Sequence, residues 1–301
     1  MTTTPRRRRL VSLLIASTLA LVSCGGDAAT TTTAAPEVPE TTAPLEAVVD
    51  VVGTVDEFLA SIPEGYLSIK SADDVVAAMD AGGAFLLDVR QPSEYEEGHI
   101  PGAVNIPIRE ITKHLDAIPM DQSVIVYCKS GYRAAMATAA LQSLGYDNVK
   151  AFGGSYNAWT AAEMEVSTEA VELMAGVAPD FEPDLLAAVE DFLLLIPEGY
   201  QTVGDVEKMQ AAMGAGAFVL DVRETSEFAE GHIPGAVNIP LRTLAANLAD
   251  IPDDVQVVVY CKSGYRAGLA NAALTIAGLD NVVAFTPSYA GWTDAGLDIE
   301  A

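Results

Sequence analysis

One hexapeptide occurs twice without change, as Cys128-Lys129-Ser130-Gly131-Tyr132-Arg133 and as Cys261-Lys262-Ser263-Gly264-Tyr265-Arg266, 133 positions apart. A chain that repeats a segment at such an offset folds as two similar units, each with one thiol in the same local setting. Only Cys24, near the start, lies outside these copies. Each loop cysteine follows an apolar β-type run (residues 123–127 and 255–260) and precedes an Ala-rich helical pattern (133–144 and 266–279). The thiol is therefore expected in a strand-to-helix turn. There the loop amides and the positive end of the helix dipole converge on the sulfur, and Lys129, Arg133, Lys262 and Arg266 add positive charge. That setting favours a thiolate or a bound anion and makes Cys128 and Cys261 candidate nucleophiles.

The similarity runs well past the loops. Leu86-Leu87-Asp88-Val89-Arg90 matches Val219-Leu220-Asp221-Val222-Arg223, and residues 97–107 recur identically at 230–240. Ser155-Tyr156 and Trp159-Thr160 return as Ser288-Tyr289 and Trp292-Thr293, while Ile62-Pro63-Glu64-Gly65-Tyr66 returns at 196–200 with an offset of 134. These limits give domains at 51–166 and 185–301 joined by a connector at 167–184 with some helical character, each domain large enough for a core. Within the first, Ser71 caps a helix through about residue 79. Strands are expected at 85–89, 103–106, 123–127 and 149–152, and helical stretches at 108–118 and 156–162. Strands separated by helices predict an α/β fold, each unit a mainly parallel sheet flanked by helices on both faces, with the cysteine loop at the carboxyl edge of a strand.

The beginning of the chain belongs to neither unit. Four arginines at 6–9, an apolar run at 10–21 too short to span a bilayer, and small residues thereafter form an export signal over residues 1–23. Its end, Leu21-Val22-Ser23-Cys24, resembles the bacterial lipobox, which implies cleavage, lipidation of Cys24 and attachment to a bacterial membrane on its extracytoplasmic side. Residues 24–50, rich in Thr, Ala and Pro, read as a tether. Cleavage leaves 12 basic against 42 acidic residues, a formal net charge of −30. Such a surface excludes nucleic acid as a partner and suits a solvated, exported body.

The ordered set Asp-Val-Arg, Glu-x-x-x-Gly-His-Ile-Pro-Gly-Ala, Tyr-Cys-Lys-Ser-Gly-Tyr-Arg-Ala and a late Trp resembles rhodanese domains, twice over, across most of residues 51–301. The resemblance implies sulfur transfer. Cys128 and Cys261 would take sulfane sulfur from a donor such as thiosulfate, hold it as a persulfide and pass it to a thiophilic acceptor, with no cofactor and no metal. The amides of 129–133 and 262–266 would cradle the persulfide or the donor's anionic group, while Arg133 and Arg266 hold the loop. Asp88, Arg90, Asp221 and Arg223 support it, by buried pairing more than by contact with substrate. His99 and His232 lack the clustered ligands of a metal site, and Trp159 and Trp292 read as core. Thr286-Pro287 stands where the first repeat has Gly153-Gly154, so less backbone freedom is expected at the second site.

Other chemistries fit less well. Cysteine phosphatases use Cys-x5-Arg, one residue wider than the Cys-x4-Arg found here, and a thiol-disulfide exchanger would have Cys-x-x-Cys. The alternative from another class is a membrane-tethered sulfur carrier or binding module that serves a protein acceptor without turning over small molecules.

Overall fold

The computed structural model describes residues 50–301. The signal at 1–23, Cys24 and the tether up to residue 49 lie outside the described residues. The first repeat contains α1 (Val51–Ser61), β1 (Ser68–Ile69), α2 (Ala72–Gly82), β2 (Phe85–Asp88), α3 (Pro92–Glu96), β3 (Val104–Asn105), a 3-10 segment (Ile108–Ala117), β4 (Val124–Tyr127), α4 (Tyr132–Ser143), β5 (Val149–Phe152) and α5 (Ser155–Ala161). The second contains α6 (Pro183–Leu195), β6 (Thr202–Val203), α7 (Val206–Gly214), β7 (Phe218–Asp221), α8 (Thr225–Glu230) and β8 (Val237–Asn238). Two 3-10 segments (Leu241–Thr243 and Ala245–Asp250) then lead to β9 (Val257–Tyr260), α9 (Tyr265–Ile276), β10 (Val282–Phe285) and α10 (Ser288–Asp294).

Each repeat forms one five-stranded sheet, in the orders β1-β5-β4-β2-β3 and β6-β10-β9-β7-β8. All strand pairings are parallel, as the alternation of strands and helices predicts. The cysteine-bearing strands β4 and β9 occupy the centre. Their Val-Ile-Val-Tyr and Val-Val-Val-Tyr sequences are buried at every position, because helices cover both sheet faces. Ser71 does cap α2, its hydroxyl accepting from the Asp74 N–H at 3.1 Å. The apolar spacing at 108–118 serves a 3-10 segment broken at His114, whose three-residue turn brings Ile108 and Ile111 to one side.

The connector differs from expectation. Residues 168–182 carry no helix or strand. The segment is tied to the first repeat at single points instead: just before it Ser167 and His99 exchange main-chain hydrogen bonds at 2.9 Å each, the Val171 N–H donates to the Tyr95 hydroxyl at 3.1 Å, and the Gly176 N–H donates to the Asp116 carbonyl at 2.9 Å. Pro179 and Pro183 restrict the approach to α6, and Pro183 opens that helix at its first turn.

Three apolar cores run through the described residues. One lies on the outer face of each sheet, around Trp159 and Phe152 in the first repeat and Trp292 and Phe285 in the second. The largest is shared, joining the inner faces of both sheets through α1, α4, α6 and α9. Since α4 and α9 sit in the middle of it, they are buried on nearly all sides, which explains an Ala-rich sequence with little amphipathic contrast. At their crossing a Cβ on Gly268 would come within 2.8 Å of the Ala135 Cβ and 3.1 Å of the Tyr132 carbonyl oxygen, so the helices approach at glycine distance.

The flanking helices are exchanged. α1 precedes the first sheet in the chain but packs on the 3-10 segments and α9 of the second repeat, and α6 packs on the 3-10 segment of the first. Buried Val55, Phe58 and Leu59 of α1 each contribute about 2 kcal/mol to this contact. The exits of both helices are gripped by arginines. Arg242 donates to the carbonyls of Ile62 and Pro63 at 2.8 and 3.0 Å, and Arg109 to those of Ile196 and Pro197 at 2.8 and 2.7 Å.

Candidate active site

Both cysteines lie at the carboxyl ends of central strands, and both are free thiols, only 1 % exposed. The turn that follows requires glycine. Gly131 and Gly264 have φ of +101° and +96°, and a Cβ on them would lie 2.2 Å from the Gly153 carbonyl oxygen and 2.5 Å from that of Thr286. This turn brings the Gly131 N–H to 3.1 Å from Cys128 Sγ and the Gly264 N–H to 3.1 Å from Cys261 Sγ. The helix following each thiol is 12 residues long, so its positive end also faces the sulfur.

The loop is fastened from beneath by the helix after the last strand. The N–H groups of Tyr156 and Asn157 donate to the carbonyls of Cys128 and Lys129 at 3.0 and 2.9 Å, and Tyr289 and Ala290 do the same for Cys261 and Lys262 at 2.9 and 3.0 Å. Ser155 and Ser288 receive the cysteine N–H at 3.1 and 3.2 Å, and each hydroxyl lies 3.8 Å from the sulfur. Both serines hold left-handed backbone angles, φ +51° and +57°, a strained conformation that places the hydroxyl beside the thiol.

Arg133 and Arg266 turn away from solvent and form two-pronged pairs with Glu94, at 2.6 and 2.8 Å, and with Glu227, at 2.5 and 2.8 Å. Burial opposes the charge on each guanidinium. The carboxylate hydrogen bond and the neighbouring cysteine outweigh it and hold the proton more tightly than usual. Asp88 with Arg90, and Asp221 with Arg223, are buried pairs just below the loops. Arg90 Nη2 is 2.6 Å from Asp88 and 2.8 Å from the Gly98 carbonyl, and Arg223 repeats this at 2.7 Å to Asp221 and to Gly231. They join the strand end to the loop that follows. His99 and His232 stack on Tyr95 and Phe228 at 3.7 Å, with Nδ1 against main-chain oxygens. Trp159 and Trp292 are core residues.

Each site reaches into the other repeat. Tyr66 lies between the guanidinium groups of Arg242 and Arg266, 4.7 and 4.9 Å from its ring centre, and its hydroxyl donates to Glu224 at 2.6 Å. Tyr200 lies between Arg109 and Arg133 at 5.2 and 4.9 Å, where Gln91 replaces Glu224 and donates to the hydroxyl at 3.2 Å. A cavity of about 320 Å3 opens on Cys261, with Lys262 and Arg266 on one side and Tyr66, Lys70 and Gly153 of the first repeat on the other. A second cavity, about 310 Å3, separates the two loops and is lined by Ser130 and Tyr132 facing Ser263 and Tyr265.

A family model described as Rhodanese-like domain matches residues 71–162 and 204–295. The chain belongs to the rhodanese-like family. It is a tandem sulfurtransferase. It is 28% identical over 244 residues to the 3-mercaptopyruvate sulfurtransferase of Escherichia coli strain K12, a match covering 69% of this chain and 85% of that one. Human thiosulfate:glutathione sulfurtransferase is 31% identical over 107 residues, 31% of this chain and 93% of the human one. Among solved structures, that of SseA, a 3-mercaptopyruvate sulfotransferase from Escherichia coli, aligns with 23% identity and a TM-score of 0.38 over 74% of this chain and 98% of its own.

Within the rhodanese units, one expectation changes. Pro287 adopts φ −62°, ψ −26°, close to the −79°, −18° of Gly154, so the proline fits the conformation that the glycine holds in the first repeat and takes no needed freedom from the second loop at that position. Sequence reasoning missed Ser155, Ser288, Glu94, Glu227, Tyr66 and Tyr200 as site residues. The first four recur at the offset of 133 and the tyrosines at 134, which was the available signal.

Proposed function

We propose that the protein moves sulfane sulfur from a small donor such as thiosulfate to a thiophilic acceptor through a persulfide on Cys261 and on Cys128. The cysteine thiolate attacks the outer sulfur of thiosulfate. A new S–S bond forms, the old one breaks, and its electron pair leaves with sulfite. An acceptor nucleophile then takes the outer sulfur and returns the thiolate. What carries this reading is the loop amide 3.1 Å from each sulfur at the head of a 12-residue helix, an arrangement that stabilises negative charge on the sulfur throughout the cycle. The same reading holds the body, through a lipid on Cys24, to the outer side of a bacterial membrane, where a protein acceptor is also accessible to it. Metabolic labelling with a fatty acid, lost in Cys24→Ser, tests that part.

Intact mass spectrometry of the reduced protein after brief exposure to thiosulfate tests the chemistry, alongside Cys128→Ser and Cys261→Ser. Two added sulfur atoms are expected in the parent and one in each variant, all removed by cyanide as thiocyanate. No gain from thiosulfate or from polysulfide would reject small-donor turnover and leave delivery to one protein partner.

A further inference from the structure

The two loops are identical in sequence, but the walls facing them are not. β1 and β6 occupy equivalent edge positions, Ser68 and Ile69 pairing with Ala151 and Phe152 as Thr202 and Val203 pair with Ala284 and Phe285. The next residue is Lys70 in one repeat and Gly204 in the other, directly before the helix caps Ser71 and Asp205. Because the edge strand of the first repeat forms a wall of the second repeat's site, Lys70 lines the Cys261 cavity together with Lys262. Arg266 is there too, but its charge is committed to Glu227. Neither lysine has an ion-pair partner among the described residues. The side-chain charge around Cys261 is thus two uncompensated cations. Around Cys128, with Arg133 committed to Glu94 and glycine at position 204, Lys129 is the corresponding single one.

We propose that Lys70 is a specificity-determining residue acting across the repeats, and that it makes Cys261 the faster-reacting of the two sites toward small sulfur donors carrying a carboxylate or sulfonate-like group. The inference rests on sulfur transfer at Cys261 for its biological meaning, and on the cavity alone for its physical content. The body carries a large negative charge, which repels such donors at long range, so a second local cation decides which thiol they reach. The route into Lys70's position is held by Tyr66, four residues earlier, through its seat between Arg242 and Arg266.

The test uses two alkylating reagents of nearly equal size, iodoacetate and iodoacetamide, which differ by one negative charge. The rate at each cysteine is followed by peptide mass spectrometry, and the iodoacetate-to-iodoacetamide ratio is compared between sites. The expected ratio is higher at Cys261 than at Cys128. Lys70→Ala lowers it at Cys261 about fivefold, the size of one partly exposed charge contact, leaves Cys128 unchanged, and Lys70→Arg restores it. Gly204→Lys, at a position where a Cβ meets nothing within 4 Å, raises the ratio at Cys128. Equal ratios at the two cysteines, or a Lys70→Ala protein with the parent ratio, would overturn the proposal. Thiosulfate loading measured on the same samples separates the two readings: normal charge selectivity without any sulfur uptake rejects the transfer reaction and keeps the anion site, whereas uptake with an unaltered KM in Lys70→Ala does the reverse.

Discussion

The side chains that hold the loops carry a measurable pH signature. Hydrogen bonds from Arg133 and Arg266 keep Glu94 and Glu227 below the usual carboxylate range, against a smaller opposing effect of burial. With the folded value lowered, each pair contributes fully above the unfolded value near 4.5 and loses its contribution as pH falls through the folded one. Glu227 is 28 % exposed, which limits the pair to about 1–2 kcal/mol. The melting-temperature gap between the parent and Glu227→Gln is expected to be constant at neutral pH and to narrow in acid below the carboxylate range; a gap unchanged in acid would reject the ion pair as its source. At this scale the sequence disclosed the residues whose chemistry depends on their immediate neighbours, namely the two cysteines and the Asp88–Arg90 and Asp221–Arg223 pairs. It did not disclose Glu94 as the partner of Arg133, since the two meet only after the chain has passed through β3 and β4, 39 residues later.

Elements were legible in proportion to how much of their own repeat they bury. β2 and β4 are short, mainly apolar runs, the pattern of strands covered on both faces, β5 carries one exposed lysine, Lys150, and all three lie within a residue of expectation. α1 and α6 went unread because their apolar residues answer to the opposite repeat, and β1 is two residues long. The connector was misread for a related reason: it is held at Val171 and Gly176 by tertiary contacts that no local pattern encodes. The cysteine turn is the element with least tolerance. Gly264→Ala combines a left-handed φ with a contact of 2.5 Å to the Thr286 carbonyl, and we expect a loss of about 2 kcal/mol or more. Sulfur loading should fail at Cys261 while Cys128 still loads. Normal loading at Cys261 in a folded Gly264→Ala protein would show that the amide geometry of the turn is dispensable.

The described residues of both repeats pack around a shared central interior, flanked by one smaller core on the outer face of each sheet, with α4 against α9 and the flanking helices exchanged. Calorimetry is expected to show one cooperative transition in which the calorimetric and van't Hoff enthalpies agree. Gly268→Leu, placed where Ala135 leaves no room, should lower that single transition without splitting it. Two resolved transitions would mean that the repeats fold independently. The number of repeats was evident from internal similarity, their α/β class from the alternation of strand and helix patterns, and the position of the thiols from the β-type run before each cysteine and the helical pattern after it. Their mutual embrace was not, because a duplicated sequence looks the same whether its copies sit side by side or trade parts. That trade has a consequence for descent. A recombination event that replaced one half with a foreign copy would supply a thiol whose tyrosine brace and cavity wall belonged to a stranger, so the ancestral duplication has become a commitment: the halves can diverge, as Lys70 and Gly204 have, but only as heirs to a joint estate.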